Sequence, residues 1–90
     1  MSQFEVPAES RKKYLTRRLA ELDQLEDSLD VELAKKVGHQ IKGNAATFLF
    51  PTLAEMGSHL EQAAIGQDGS LIKKLSGDMK EMVQRLLTEL

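Results

Sequence analysis

Apolar residues recur at helical spacing along most of this chain, and no stretch alternates with the two-residue period of a strand. Leu15, Leu19, Leu22, Leu25 and Leu29 form one row. Leu33, Val37, Ile41, Ala45 and Phe48 form a second, and Leu53, Met56, Leu60, Ala63 and Ala64 a third. A fourth runs through Leu71, Leu75, Met79, Met82 and Leu86, with Val83 beside it. Pro7 suits the first turn of a first helix. Asp30 can cap a second helix, which the periodicity carries to about Phe48. Pro51 can open a third. Gly66-Gln67-Asp68-Gly69-Ser70 reads as a loop before a last helix that starts near Ser70 or Leu71. Amphipathic helices joined by short connections predict an all-α fold, an antiparallel four-helix bundle. At 90 residues the chain is one domain, 1–90, with 1–6 as a loose N-terminal segment.

Composition narrows the functional classes. Twelve basic and 14 acidic residues leave a net charge of −2, which argues against nucleic acid or an anionic membrane as the main partner. There is no cysteine, so a disulfide framework, a thiol nucleophile and thiolate metal sites are excluded. No run of about 18 apolar residues suggests a membrane span. The opening residues lack the basic and apolar regions of a signal peptide, so a cytoplasmic protein is expected. No P-loop, Gly-rich fingerprint, nucleophile elbow or His-Glu-x-x-His string is present, so neither an ATP site nor a metal site is expected.

The chemistry concentrates between His39 and Glu61. At roughly 100° per residue, His39 falls almost opposite the apolar row of its helix and should face solvent. Gly43 and Ala46, both small, share that face four and seven residues on, and Lys35 and Lys42 border it. Two glycines in this helix, Gly38 and Gly43, each cost about 1 kcal/mol of helix propensity relative to alanine. Accepting that cost twice beside an exposed histidine suggests a steric reason. His59, the other histidine, lies roughly 160° around its helix from Glu61, so the two do not share a face, and His59 reads as a surface residue. The basic run Arg11, Lys12, Lys13, Arg17 and Arg18 reads mainly as a solvated helix face, with electrostatic guidance of an acidic partner as the lesser reading.

His39-x-Ile41-Lys42-Gly43, followed by Ala46, Thr47, Phe48, Leu53 and Leu60-Glu61, resembles the histidine-containing phosphotransfer (HPt) domain. Within that family it is most similar to the phosphoacceptor domain of chemotaxis histidine kinases, which carry a similar Thr-Phe pair and an acidic residue at the position of Glu61. The motif spans 23 of the 90 residues. The resemblance implies a phosphocarrier in two-component signalling, with His39 as the acceptor, exposed on the second helix. A receiver aspartyl phosphate or a histidine kinase would donate, and a receiver aspartate would accept. Mg²⁺ would come with the receiver or kinase, the chain itself needing no cofactor, and a monomer is expected. Lys42 would offset phosphoryl charge. Glu61, at the border of the third apolar row, would accept a hydrogen bond from the imidazole Nδ1–H and leave Nε2 as the nucleophile. Histidine titrates near neutrality, so such a nitrogen is available. Lys35, Gln40, Gly43, Ala46 and Leu49 would meet the partner. The family usually has glycine where this chain has Leu49; a leucine there should add apolar area to the docking face, and its burial should support the helix end. The alternative is a small helical adaptor that binds a signalling partner through the His39 face without being phosphorylated.

Overall fold

Helix starts are fixed by side chains that satisfy free backbone N–H groups or need none. In the computed structural model, which describes residues 6–90, the described residues form α1 (Ala8–Asp27), α2 (Val31–Asn44), α3 (Pro51–Ile65) and α4 (Gly69–Glu89), with no strand. The expected loose segment lies, except for Val6, outside the described residues. Asp30 caps α2 by accepting from the Leu33 N–H at 3.0 Å, and Asp68 caps α4 by accepting from the Leu71 N–H at 3.1 Å. Pro7 stands at the cap of α1 rather than inside its first turn, and Pro51 occupies the first turn of α3, where its missing N–H costs nothing.

The core is aliphatic. Leu15, Leu22 and Leu25 of α1, Val37 and Ile41 of α2, Leu53 and Leu60 of α3, and Ile72, Met79 and Val83 of α4 are almost wholly buried. α2 packs chiefly on α3 and α1 on α4. Across the second pair, Lys80 bridges Asp23 and Glu26, and both carboxylates raise its pKa. On α4 the buried row differs from expectation at its start: Ile72 and Ser76 face inward and Leu71 is exposed. A helical period fits either row, and Ser76 looked polar. Its hydroxyl, however, donates to the Ile72 carbonyl at 2.7 Å and so enters the core satisfied. The basic half of α1 is not a uniform solvated face either. Arg18 is buried, paired with Glu21 at 2.7 Å, and lies over the Tyr14 ring. Arg11 donates from Nε to the Phe48 carbonyl at 3.0 Å and lies over the Phe50 ring.

α2 stops at Asn44, short of Phe48. The chain leaves through a Schellman turn: the Phe50 N–H reaches the Ala45 carbonyl at 2.9 Å and the Leu49 N–H the Ala46 carbonyl at 3.0 Å. Leu49 takes the left-handed position of that turn with φ 71°. Pro51 prevents any helical continuation through residue 50. α3 ends in the same way, with Asp68 N–H to Ala63 O, Gln67 N–H to Ala64 O, and Gln67, not a glycine, left-handed at φ 55°. Position 49 thus requires a left-handed conformation that glycine enters freely, and leucine adopts it at a cost of about 1–2 kcal/mol. Half of the Leu49 surface remains exposed, so little burial offsets that cost. The expectation that Leu49 supports the helix end by burial is therefore reversed. Leu49→Gly should leave the thermal midpoint unchanged or raise stability by up to about 1 kcal/mol, less the extra chain entropy of glycine. A thermal melt checks this; a fall of several degrees would mean that the side chain packs more than its exposure indicates.

Candidate functional site

The site is assembled where α2 and α3 touch backbone to backbone. A Cβ at Gly38 would lie 2.6 Å from the Glu61 nitrogen and 2.8 Å from the Gly57 carbonyl oxygen. A Cβ at Gly57 would lie 2.7 Å from Ile41 Cγ2 and 2.8 Å from the Lys42 nitrogen. Only glycine fits at either place. With Gly38 against the backbone of Glu61, the next residue, His39, meets the Glu61 side chain. The two costly glycines of α2 therefore separate in role. Gly38 permits the helix contact, whereas a Cβ at Gly43 would meet nothing within 4 Å.

Glu61 is the centre of the arrangement. Its Oε2 lies 2.8 Å from His39 Nδ1 and its Oε1 2.8 Å from Lys42 Nζ. The carboxylate side chain is 10% exposed, the imidazole 70% and the lysine 45%. The Lys42 hydrogen bond, and then that of His39, hold the Glu61 carboxyl below the usual carboxylate range against the opposing effect of desolvation. At neutral pH Glu61 is thus ionised and can only accept. His39 must then present Nδ1–H to it, which leaves Nε2 pointing away with a free lone pair when the ring is neutral. Protonating Glu61 removes an acceptor from both neighbours. Its folded pKa is depressed, so this stabilisation is present above the ordinary carboxylate pKa and is lost as pH falls through the lower folded value.

The resemblance implies separate tasks for Lys42 and Glu61 beside His39. The structure joins them on one carboxylate. Lys35 and Gln40 line an open cleft beside His39, together with Glu32 and Lys36, which sequence reasoning did not single out. Gly43 and Ala46 are exposed further along the chain, and Leu49 is exposed in the turn beyond α2. His59 is exposed and lines a different groove, with Gln62, Leu71 and Leu75. Gly57 was missed as well; a glycine inside an otherwise apolar helical row was the available signal.

Among the described residues no group of three or more His, Cys, Asp or Glu side chains is arranged to hold a metal ion, and no helix is long and apolar enough to cross a membrane. Neither the curated proteins nor the solved structures give a significant match to this chain. The family model for the Hpt domain matches residues 11–89, nearly all of α1 and the whole of α2 to α4. The chain therefore belongs to the Hpt domain family, whose members carry phosphoryl groups between histidine kinases and receiver domains in two-component signalling.

Proposed function

We propose that His39 is the phosphoacceptor of this domain and that it exchanges a phosphoryl group with a receiver aspartate. The observation that carries the reading is an exposed imidazole whose Nδ1 is held by a nearly buried carboxylate, in a chain of this family. In uptake from a receiver, Nε2 attacks phosphorus in line. The Nε2–P bond forms as the P–O bond to the aspartyl group breaks, and the aspartate leaves as a carboxylate. Nδ1 keeps its proton, and the positive charge that develops on the ring faces Glu61. Lys42, half-exposed beside the same carboxylate, offsets negative charge on the incoming group. Mg²⁺ is contributed by the partner, which can be a receiver or a histidine kinase. The reverse transfer returns the group to another receiver. Lys35, Gln40, Gly43, Ala46 and Leu49 form the surrounding docking face. Connections of three, six and three residues favour antiparallel neighbours in the bundle. A monomeric cytoplasmic relay, similar to the phosphoacceptor domains of chemotaxis kinases in its Thr47-Phe48 pair and Glu61, completes the reading. The departure at Leu49 does not favour the adaptor alternative, because this leucine takes the left-handed turn itself.

The test is incubation with a panel of receiver domains phosphorylated from acetyl phosphate. Label that moves to the chain, is lost in acid and survives in base is the expected result. Failure of every receiver and of a small phosphoryl donor to label the chain would overturn the assignment. Gly43 supplies a second check. Gly43→Gln should stabilise the helix by a few tenths to about 1 kcal/mol, since nothing lies within 4 Å of the new Cβ, yet slow exchange with a receiver by obstructing its approach. A raised midpoint with an unchanged rate would remove Gly43 from the docking face.

A further inference from the structure

α1 carries its charge in two halves that the fold treats differently. In the acidic half, Glu21 is paired with Arg18, and Asp23 and Glu26 with Lys80. In the basic half, Arg11 and Arg18 are turned to internal work, while Lys12, Lys13 and Arg17 remain exposed. Lys13 has a single ionic partner among the described residues, Glu9 at 3.7 Å, with both side chains about four-fifths exposed; such a pair holds its charges only weakly. Arg17 has none among the described residues.

Lys13 and Arg17 rim a groove of about 430 Å³ between α1 and the end of α2. Among the described residues its lining includes Tyr14, Asn44 and Phe48 and no carboxylate. The groove is attached rigidly to the histidine helix. The Tyr14 hydroxyl donates to Asn44 Oδ1 at 2.7 Å, and its ring stacks on Phe48 with centroids 4.4 Å apart. Asn44 stands five residues past His39, about 7.5 Å further along the helix axis and about 140° around it, where α2 meets Tyr14 of α1. A standard interface of about 800 Å² per partner centred on His39 has a radius of roughly 16 Å, about twice that axial offset. Beyond contact, the two cations act across a Debye length of about 8–10 Å. The phosphoryl group that a partner brings is anionic, with its charge offset in part by the Mg²⁺ that comes with the partner.

We propose that the groove rimmed by Lys13 and Arg17 is a second docking element, which steers a receiver that presents negative charge beside its phosphoryl group onto α2 and makes exchange with His39 dependent on salt. This rests on His39 being the phosphoacceptor. The chemistry remains at His39; the groove acts on encounter.

The experiment uses the full chain and the receiver from the acetyl phosphate panel that exchanges fastest with wild type. Lys13→Glu/Arg17→Glu is compared with Lys73→Glu/Arg85→Glu, which makes the same change in net charge on exposed positions of α4. Phosphoramidate, which yields its phosphoryl group to the imidazole with loss of ammonia, labels His39 without any docked protein. The α1 pair should lower the association rate about ten-fold at low salt, and the difference should shrink as salt rises from roughly 25 to 300 mM. The α4 pair should lower it far less, and phosphoramidate labelling should be equal in all three proteins. Equal slowing by both pairs, or no slowing by the α1 pair, overturns the steering groove while labelling leaves the acceptor in place. Absence of phosphoramidate label on wild type overturns the acceptor reading itself. Should the reversed α1 pair melt early, Lys13→Gln/Arg17→Gln gives the same comparison, with about a three-fold effect expected.

Discussion

His39→Gln should take up no phosphoryl group from any receiver or from phosphoramidate, while its helical circular dichroism and thermal midpoint stay close to those of the wild type. Both halves of this expectation come from the same geometry. The imidazole is 70% exposed and makes one hydrogen bond, to Glu61. Its removal therefore opens no cavity. Nor does it strand a buried charge, because Lys42 still holds the other carboxylate oxygen at 2.8 Å. A glutamine amide can donate to Glu61 through its NH₂ group but offers no nucleophilic nitrogen. His59 is the only other histidine in the chain. Label retained on the variant would have to move there, and would transfer the site to the groove with Gln62, Leu71 and Leu75. Quantifying acid-labile label on His39→Gln, His59→Gln and the double variant decides between the two positions.

The helices themselves were legible because burial imposes a period, and Leu15, Leu22, Val37, Ile41, Leu53, Leu60 and Met79 all occupy expected inward positions. Asp30 was legible as a cap because its side chain acts on a backbone group three residues away. What escaped depends on distances between helices or on backbone conformations that no residue type announces. Ala45, Ala46, Thr47 and Phe48 are all compatible with a helix, and leucine does not advertise a left-handed turn, so the end of α2 was placed too late. Ser76 and Arg18 are polar, and only their internal partners make burial tolerable. The pairing of Lys42 with Glu61 joins residues 19 apart in sequence across two helices, a relation that spacing within one helix cannot express. The resemblance brought His39 and Glu61 into one site; the reason they meet lies in Gly38 and Gly57.

That reason makes Gly38→Ala the most damaging small substitution expected near the site. Alanine should gain about 1 kcal/mol of helix propensity. The added methyl, however, would lie 2.6 Å from the Glu61 nitrogen and 2.8 Å from the Gly57 carbonyl oxygen. Both are backbone atoms of a packed helix and cannot swing aside as a side chain would. α2 and α3 must separate, and overpacking of this kind costs typically 1–3 kcal/mol. The net result is a loss of up to about 2 kcal/mol, a fall in midpoint of up to roughly 8–16 °C for a domain of this size. Gly43→Ala is the matched control, being the same change on the same helix with no neighbour within 4 Å, and it should raise the midpoint. The functional consequence follows from the same displacement. Moving the Glu61 backbone away from α2 lengthens the carboxylate's reach to Nδ1, so the fraction of His39 in the Nδ1–H tautomer should fall, and phosphoryl uptake should slow although no reacting atom has changed. Ring ¹⁵N chemical shifts of His39 in wild type, Gly38→Ala and Gly43→Ala measure the tautomer directly. If both variants melt later than wild type with unchanged ring shifts, the close approach at Gly38 is not what holds Glu61 against His39.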